Sequence, residues 1–243
     1  MTDPSSQLTL LTWMSAAFPT GAFTCSHGLE SAIADDRVSD EASCLDWIAG
    51  IVSQGSIWND SLLTKAAHTT VCQQLDVAAL SNSDEDKAHV DSLSKSLTEL
   101  NDLALALCAG SERYRETTQL GSGFANAAAV WLSDQPSSKH LITDPLALPI
   151  ALGIDTALAR IPLSDVLSAA IQSSASNLVW IATRLIPLGQ TQALRIIAKL
   201  QPLVTQTATR SQGATLDDLG SSTFAAELAS LEHEILPTRV CIT

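Results

Sequence analysis

The chain has little aromatic content, four Phe, five Trp and one Tyr in 243 residues. With so few ring side chains, few alternating apolar and polar runs, and neither an Asn-Gly nor an Asp-Gly turn, the usual signs of a sheet are missing. Positive charge is also scarce. Thirteen Lys and Arg stand against 26 Asp and Glu, a formal net charge of −13. Such a balance repels phosphate backbones and anionic headgroups, so nucleic acid and membrane surfaces are poor partners. Cysteine is sparse: Cys25, Cys44, Cys72, Cys108 and Cys241 are odd in number and never form a Cys-x-x-Cys spacing. Free thiols in a reducing compartment are expected, and the protein is read as cytoplasmic. Long apolar runs are lacking as well. The stretch from Leu8 to Phe23 is broken by Thr9, Thr12, Ser15, Pro19, Thr20 and Gly21, short of the roughly 20 apolar residues that span a bilayer. Met1, Thr2, Asp3 and Pro4 do not begin a secretory leader. Gly-x-Ser-x-Gly is absent, and Gly121, Ser122, Gly123 lacks the Gly-Lys-Ser/Thr ending of a phosphate loop.

What is present is a chain that is 46% hydrophobic and 16% charged, enough to fold around a core. Alanine and leucine set a helical period. From Pro162 onward, Leu163, Val166, Leu167, Ala170, Ile171, Ala175, Leu178, Val179, Ala182, Leu185 and Ile186 recur at three- and four-residue steps. Pro162 suits a first turn and Pro187 forbids simple continuation. A second helix is expected after Ser39 as cap, with Asp40 and Glu41 in its first turn and Leu45, Ile48 and Val52 inward. A third follows Asp60 as cap, through Leu62, Leu63, Ala66, Ala67 and Val71. Others carry Leu93, Leu97, Leu100, Ala104 and Leu107, and Phe124, Ala127, Ala128 and Trp131. Polar breaks fall at Ser81 to Asp86 and at Ser133 to Thr143. The expected architecture is a single all-helical domain over 1–243, of nine or ten helices, with a polar N-terminal tail at 1–7.

Candidate ligand clusters are few. His68 and Cys72 stand four apart on a helix face, a spacing that offers nitrogen and sulfur to a metal. Two ligands do not make a site, and burial beside a core stripe is the simpler reading. Cys25, Ser26, His27 and Glu30 form a second possible cluster, for which a helix start capped by Ser26 or Thr24 is more economical. Asp35, Asp36 and Asp40 superficially suggest a magnesium-diphosphate motif, but no convincing acidic partner faces them; Asp217 and Asp218 lie in a short connector. No catalytic residue and no metal site is assigned.

Three segments are more specific than their composition. They are Phe18 to Glu30, Arg184 to Thr191, and Ala225 to Thr243. Together they resemble the UreF family of urease accessory proteins. Pro19, Gly21, Phe23, Ser26, His27, Gly28, Leu29 and Glu30 agree with that family's signature Pro-x-Gly-Gly-Phe-Ser-Tyr-Ser-Gln/His-Gly-Leu-Glu, with Ala22, Thr24 and Cys25 as replacements. Arg115, Glu116, Gln119, Leu120 and Gly121 resemble its Arg-Glu-rich segment. Leu188, Gly189, Gln190 and Thr191 resemble its Pro-Leu-Gly-Gln corner. Ala229, Ser230, His233, Glu234 and Arg239 match its C-terminal segment, while Glu232, Pro237, Val240 and Cys241 depart from it. Ala147 stands where the family often keeps a histidine.

The resemblance implies an all-helical, usually dimeric, non-catalytic adaptor that joins the accessory protein UreD (also called UreH) to the GTPase UreG, regulates GTP hydrolysis, and serves nickel insertion into apo-urease. Nickel is then the cargo of the assembly, and no cofactor is bound stably. The tail from Glu227 to Thr243 is expected to be loosely held alone and to order on UreD, with His233 and Glu234 in its matching segment. There Ile235, Leu236, Val240 and Ile242 supply apolar area, and Arg239 a charge-assisted hydrogen bond. Arg184 is a candidate contact for the GTPase. Gln190 either closes its corner by bonding exposed backbone groups, the favoured reading, or touches a partner. The strip holding His27 and Glu30 is either a core-forming turn or a contact with the dimer mate or a partner. Two rivals stay open: a nickel-binding chaperone, which needs Cys25 and His27, or His68 and Cys72, clustered and exposed; and a small helical metal-dependent enzyme.

Overall fold

The computed structural model describes residues 3–78, 86–132, 137–142 and 145–243. Among these there is no strand. The helices are α1 (Pro4–Trp13), α2 (Leu29–Ala34), α3 (Glu41–Gln54), α4 (Ser56–Ala78), α5 (Asp86–Ala106), α6 (Ser111–Ala128), α7 (Ser138–Leu141), α8 (Leu148–Leu158), α9 (Leu163–Leu185), α10 (Gln190–Gly213) and α11 (Phe224–His233). All-helical architecture is as expected, with α7 a single extra turn inside the second polar break. The first break lies outside the described residues except for Asp86, which begins α5. No described helix is long and apolar enough to cross a membrane.

α9 runs as its spacing predicts, from Pro162 as N-cap to Leu185. Three local expectations are corrected. Asp40, not Ser39, caps α3: its carboxylate accepts from the Ser43 N–H at 2.8 Å, and Ser43 Oγ accepts from the Asp40 N–H, closing a capping box. Asp60 is no cap, because α4 starts at Ser56, immediately after Gly55, and carries Asp60 in its second turn. The N-terminal segment is helical from Pro4, with Asp3 accepting from Ser6, so the described part of 1–7 is the first turn of α1 rather than a tail.

Two apolar cores organise the chain. One surrounds α8, whose residues from Pro149 to Leu158 are all buried; α4, α5, α6 and Trp13 of α1 close over it. Gly153 makes the α4–α8 approach possible, since a Cβ there would lie 2.5 Å from the Thr64 carbonyl oxygen. Trp13 stacks edge-on against Phe124 and Trp131, with centroids 5.5 and 6.0 Å apart. The second core joins α2, α3, α9 and α10, and Ala229 of α11 is buried in it. Polar clips hold the connections: wholly buried Asp155 accepts from Ser138 N–H and Oγ–H, each at 2.8 Å, which fixes α7 on α8.

Candidate functional site

The strip before α2 turns sharply. His27 (φ 52°) and Gly28 (φ 76°) are consecutive left-handed residues, a conformation costly for any residue but glycine. The turn carries α11 on its back. A Cβ at Gly28 would sit 2.5 Å from Ser230 N and 2.8 Å from the Ala229 carbonyl carbon, so only glycine admits that helix. Gly28, not Ser26 or Thr24, is the N-cap of α2 and has no side-chain cap bond, though Ser26 Oγ accepts from the Glu30 N–H at 3.4 Å. Thr24 instead donates to the Gly21 carbonyl.

Beside this turn stands α6. Glu112, Glu116, Leu120 and Phe124 recur at steps of four, and all four are buried; two carboxylates therefore occupy the inward stripe that Leu120 and Phe124 continue. Arg113 answers Glu116 directly, with Asp60 Oδ2 3.9 Å away on its other side. His27 Nε2 lies 2.7 Å from Glu116 Oε1, and its Nδ1 meets Ser56 Oγ at 3.1 Å. Burial alone would raise the Glu116 carboxyl, but Arg113 and His27, with hydrogen bonds from His27 and Thr243, hold it far below the usual range.

The end of the chain closes the cluster. His233, 0% exposed, places Nδ1 2.6 Å from Glu112 Oε2 and Nε2 3.2 Å from Glu30 Oε2. Arg239 bonds Glu112, and Glu30 receives the N–H groups of Val240 and Cys241 at 2.6 and 2.7 Å. Against the burial that would raise it, these bonds and the one from His233 keep the Glu30 carboxyl below its ordinary value. Glu234 works one step outward: its Oε1 accepts from Ser111 Oγ–H and Glu112 N–H at the positive end of α6, and those bonds lower its pKa.

The sequence candidates thus divide. His27, Glu30, His233 and Arg239, from opposite ends of the chain, meet in one cluster, and Glu234 borders it. Ile235 and Leu236 do not enter it; Ile235 is exposed and Leu236 half-buried. Arg184 lies apart, donating to the Phe23 carbonyl. Gln190 is exposed on the first turn of α10. The corner is closed by Gln192, whose Oε1 accepts from Gly189 N–H at 2.9 Å, because the third helical position reaches back to the cap and the first does not. The tail is not loose in this structure. Glu112, Arg113, Asp60 and Thr243 were missed by sequence reasoning; the four-residue step from Glu112 to Phe124 was the available signal.

As chemistry, the cluster is a closed set of ion pairs. The Cys25 thiol is pushed up to about 12 by burial and then by Glu116, and Cys241 up to about 12 by burial and then by Glu30. Both side chains are buried. His68 Nε2 is 2.9 Å from the Ile161 carbonyl oxygen and its Nδ1 3.6 Å from Cys72 Sγ, a core arrangement. Among the described residues no group of three or more His, Cys, Asp or Glu is placed to hold a metal ion. A cavity of about 60 Å³ adjoins the cluster, lined by His27, Ser56, Asn59, Asp60, Cys108 and Arg113 among others.

The outer side of this region is apolar. Phe224, Leu228, Leu231 and Ile235 follow one another at steps of four, three and four, and are 84, 53, 43 and 83% exposed. This is one stripe along and just beyond α11. Val240 and Ile242 are exposed as well.

Residues 38–201 match the UreF family. The chain is 38% identical over 233 residues to the urease accessory protein UreF of Rhodopseudomonas palustris (strain BisA53), covering 95% of this chain and 90% of that one. It is also 38% identical over 234 residues to the protein of the same name from Cereibacter sphaeroides (strain ATCC 17029 / ATH 2.4.9), covering 96% of each. To that of Bradyrhizobium diazoefficiens it is 36% identical over 236 residues.

Proposed function

Because the chain belongs to the UreF family of urease accessory proteins, we propose that it is a non-catalytic adaptor, bridging UreD and the GTPase UreG while nickel is inserted into apo-urease. The adaptor acts in the cytoplasm as a homodimer, carries no resident cofactor, and passes nickel as the cargo of the assembly. By holding UreG against UreD it sets when GTP is hydrolysed.

The observation that carries this reading is the exposed stripe of Phe224, Leu228, Leu231 and Ile235. Monomers rarely leave large contiguous apolar surface uncovered, and such patches mark protein contacts. An amphipathic helix with anchors at this spacing suits a partner's apolar groove. UreD is assigned to it. Arg239 stays within its own chain on Glu112, so the apolar side chains supply most of the contact. Arg184, beside the exposed Phe23, is assigned to the UreG side.

The experiment is co-purification with UreD in cells lacking urease, using Leu228→Asp with Ile235→Asp. Removing residues 227–243 outright would also strip His233 and Arg239 from buried carboxylates, so the double substitution is the cleaner probe. Capture of UreD should fall by at least about 30-fold for two buried anchors; undiminished capture refutes the assignment. Loss of urease nickel content in cells carrying the variant is the second readout.

The alternative, a chaperone that carries nickel itself, finds less support. Its candidate thiol Cys25 is buried and raised to about 12, and His68 is turned to a core carbonyl. Equilibrium dialysis with nickel separates the two.

A further inference from the structure

One face of α9 is turned to main-chain carbonyls of the strip before α2. Ser173, Asn177, Trp180 and Arg184 follow one another at steps of four, three and four and so share a stripe. Three of them donate to that strip: Ser173 Oγ–H to the Met14 carbonyl at 3.0 Å, Asn177 Nδ2–H to the Ala22 carbonyl at 2.8 Å, and Arg184 to the Phe23 carbonyl. The last two grip a single 3₁₀ turn, Ala22–Thr24, which starts from left-handed Gly21 (φ 84°). Burial does not hold this turn, because none of its three residues is buried. Within it the Thr24 N–H reaches the Gly21 carbonyl at a long 3.4 Å, and the Cys25 N–H reaches the Ala22 carbonyl at 3.1 Å, the weak geometry usual for so short a helix. Yet the turn carries the exposed ring of Phe23, which lines the same cleft as half-exposed Trp180.

We infer that Asn177 is a positioning residue: together with Arg184 it fixes the two peptide groups that flank the Phe23 Cα, and so aims the Phe23 ring at UreG before the two proteins meet. The inference rests on assigning the side of Arg184 and Phe23 to UreG and deepens it, with Phe23 making the contact and Asn177 acting through it. Each peptide group is planar, so holding the carbonyl on either side of one residue fixes the φ and ψ between them and gives its Cα–Cβ bond one direction. A ring held this way gives up less freedom on binding than one on a loose turn. The amide suits the task. Its NH2 donates to a carbonyl without bringing a charge to a half-buried place, whereas an ionised carboxylate of the same shape only accepts.

The test is capture of UreG by the full chain co-purified with UreD, for Asn177→Asp, Phe23→Ala and the two combined, together with amide hydrogen exchange at Cys25 in the isolated chain. Asn177→Asp keeps the size of the side chain and sets an oxygen against the Ala22 carbonyl. It should speed Cys25 exchange by about 3- to 10-fold, the worth of one hydrogen bond, and weaken UreG binding by a similar factor, while α8 amides and UreD capture stay as they were. On a Phe23→Ala background the same substitution should weaken UreG binding no further, since contacting and positioning residues are then coupled. Additive losses in the combined variant, or loss of UreD capture alongside UreG, mean that Asn177 supports the fold at large and overturn the positioning role. Unchanged Cys25 exchange in Asn177→Asp overturns it too. Should that variant fail to fold, Asn177→Ala, which leaves the Ala22 carbonyl to water, must give the same pattern. If Phe23→Ala alone leaves UreG capture intact, the UreG reading of this face is refuted and the aim of the ring with it, while Cys25 exchange separately decides whether Asn177 holds the turn.

Discussion

His233 and Glu112 sit 2.6 Å apart with no solvent around the ring, and the other ring nitrogen faces Glu30 at 3.2 Å. Ionised carboxylates only accept hydrogen bonds, so each contact needs a proton, on the ring or on the facing carboxyl. One imidazole therefore joins α2, α6 and α11. The outward stripe of α11 keeps its place because this polar joint holds the helix from beneath.

His233→Leu should expose the value of that joint. It leaves Glu30 and Glu112 facing an apolar side chain, and breaking a buried pair by removing one partner costs about 3–5 kcal/mol. Urea unfolding should show the loss, and equal midpoints for His233→Leu and the native chain would show that the joint contributes nothing. His233→Gln, which keeps a donor toward one carboxylate, should lose less.

Much of the fold was legible because it depends on near neighbours. α9 follows from Leu163, Val166, Leu167 and their successors between two prolines. Caps were displaced by one and by five residues where several residue types serve one role: Ser39 and Asp40 are both good caps, and Asp60 has the chemistry of a cap but stands inside α4. The site was less legible. Resemblance singled out His27, Glu30, His233 and Arg239 without indicating that they touch. Glu30 bonds Cys241, 211 positions away, and no local periodicity carries that contact. Glu112 and Glu116 show their inward position only through their register with Leu120 and Phe124.

Gly28→Ala separates backbone strain from close approach. At Gly21 (φ +84°) nothing lies within 4 Å of an added Cβ, so Gly21→Ala should show only the left-handed penalty, about 1–2 kcal/mol. At Gly28 (φ +76°) the added carbon also meets Ser230 N at 2.5 Å and Ala229 C at 2.8 Å, both backbone atoms that cannot swing aside. Gly28→Ala should therefore cost more than Gly21→Ala and push α11 outward, raising amide exchange there. Equal losses in thermal unfolding would mean that α11 yields without cost.

Asp155 and the carboxylates of Glu30 and Glu116 drive stability in opposite directions with pH. Burial raises Asp155 from 3.8 to about 6, with the Ser138 bonds opposing the rise. The folded state thus binds this proton more tightly than the unfolded chain. Its favourable share is complete below about 3.8 and is lost as pH climbs through about 6. Glu30 and Glu116 are held below 4.5, so their share is present above that value and disappears as pH falls through their folded values. His233, the Cys241 thiol and two backbone N–H groups face Glu30; Arg113, His27, Asp60, Cys25 and Thr243 surround Glu116. Asp155→Asn can still accept from Ser138 N–H through its carbonyl and donate to Ser138 Oγ. At pH 7 it should gain about 1–3 kcal/mol over the native chain, the conversion of a shift of this size. By pH 4 the gain should vanish. Urea denaturation at both values checks the sign, and a gain independent of pH would contradict it.

Gln192 and Gln190 provide the sharpest test of how the α9–α10 corner is built. The Gly189 N–H has a partner only because Gln192 Oε1 reaches back 2.9 Å to it, and Ala193 N–H in turn bonds the Gly189 carbonyl at 3.0 Å. Leu188, buried on the second core, depends on that turn for its direction. Gln192→Ala should cost about 1 kcal/mol, the usual value of a helix-start cap, and loosen exchange at Gly189. Gln190→Ala, at an exposed first-turn position, should change stability by less than about 0.5 kcal/mol. If Gln190→Ala proves the more damaging, the corner is held by the glutamine next to Gly189 and the Gln192 bond is not what closes it.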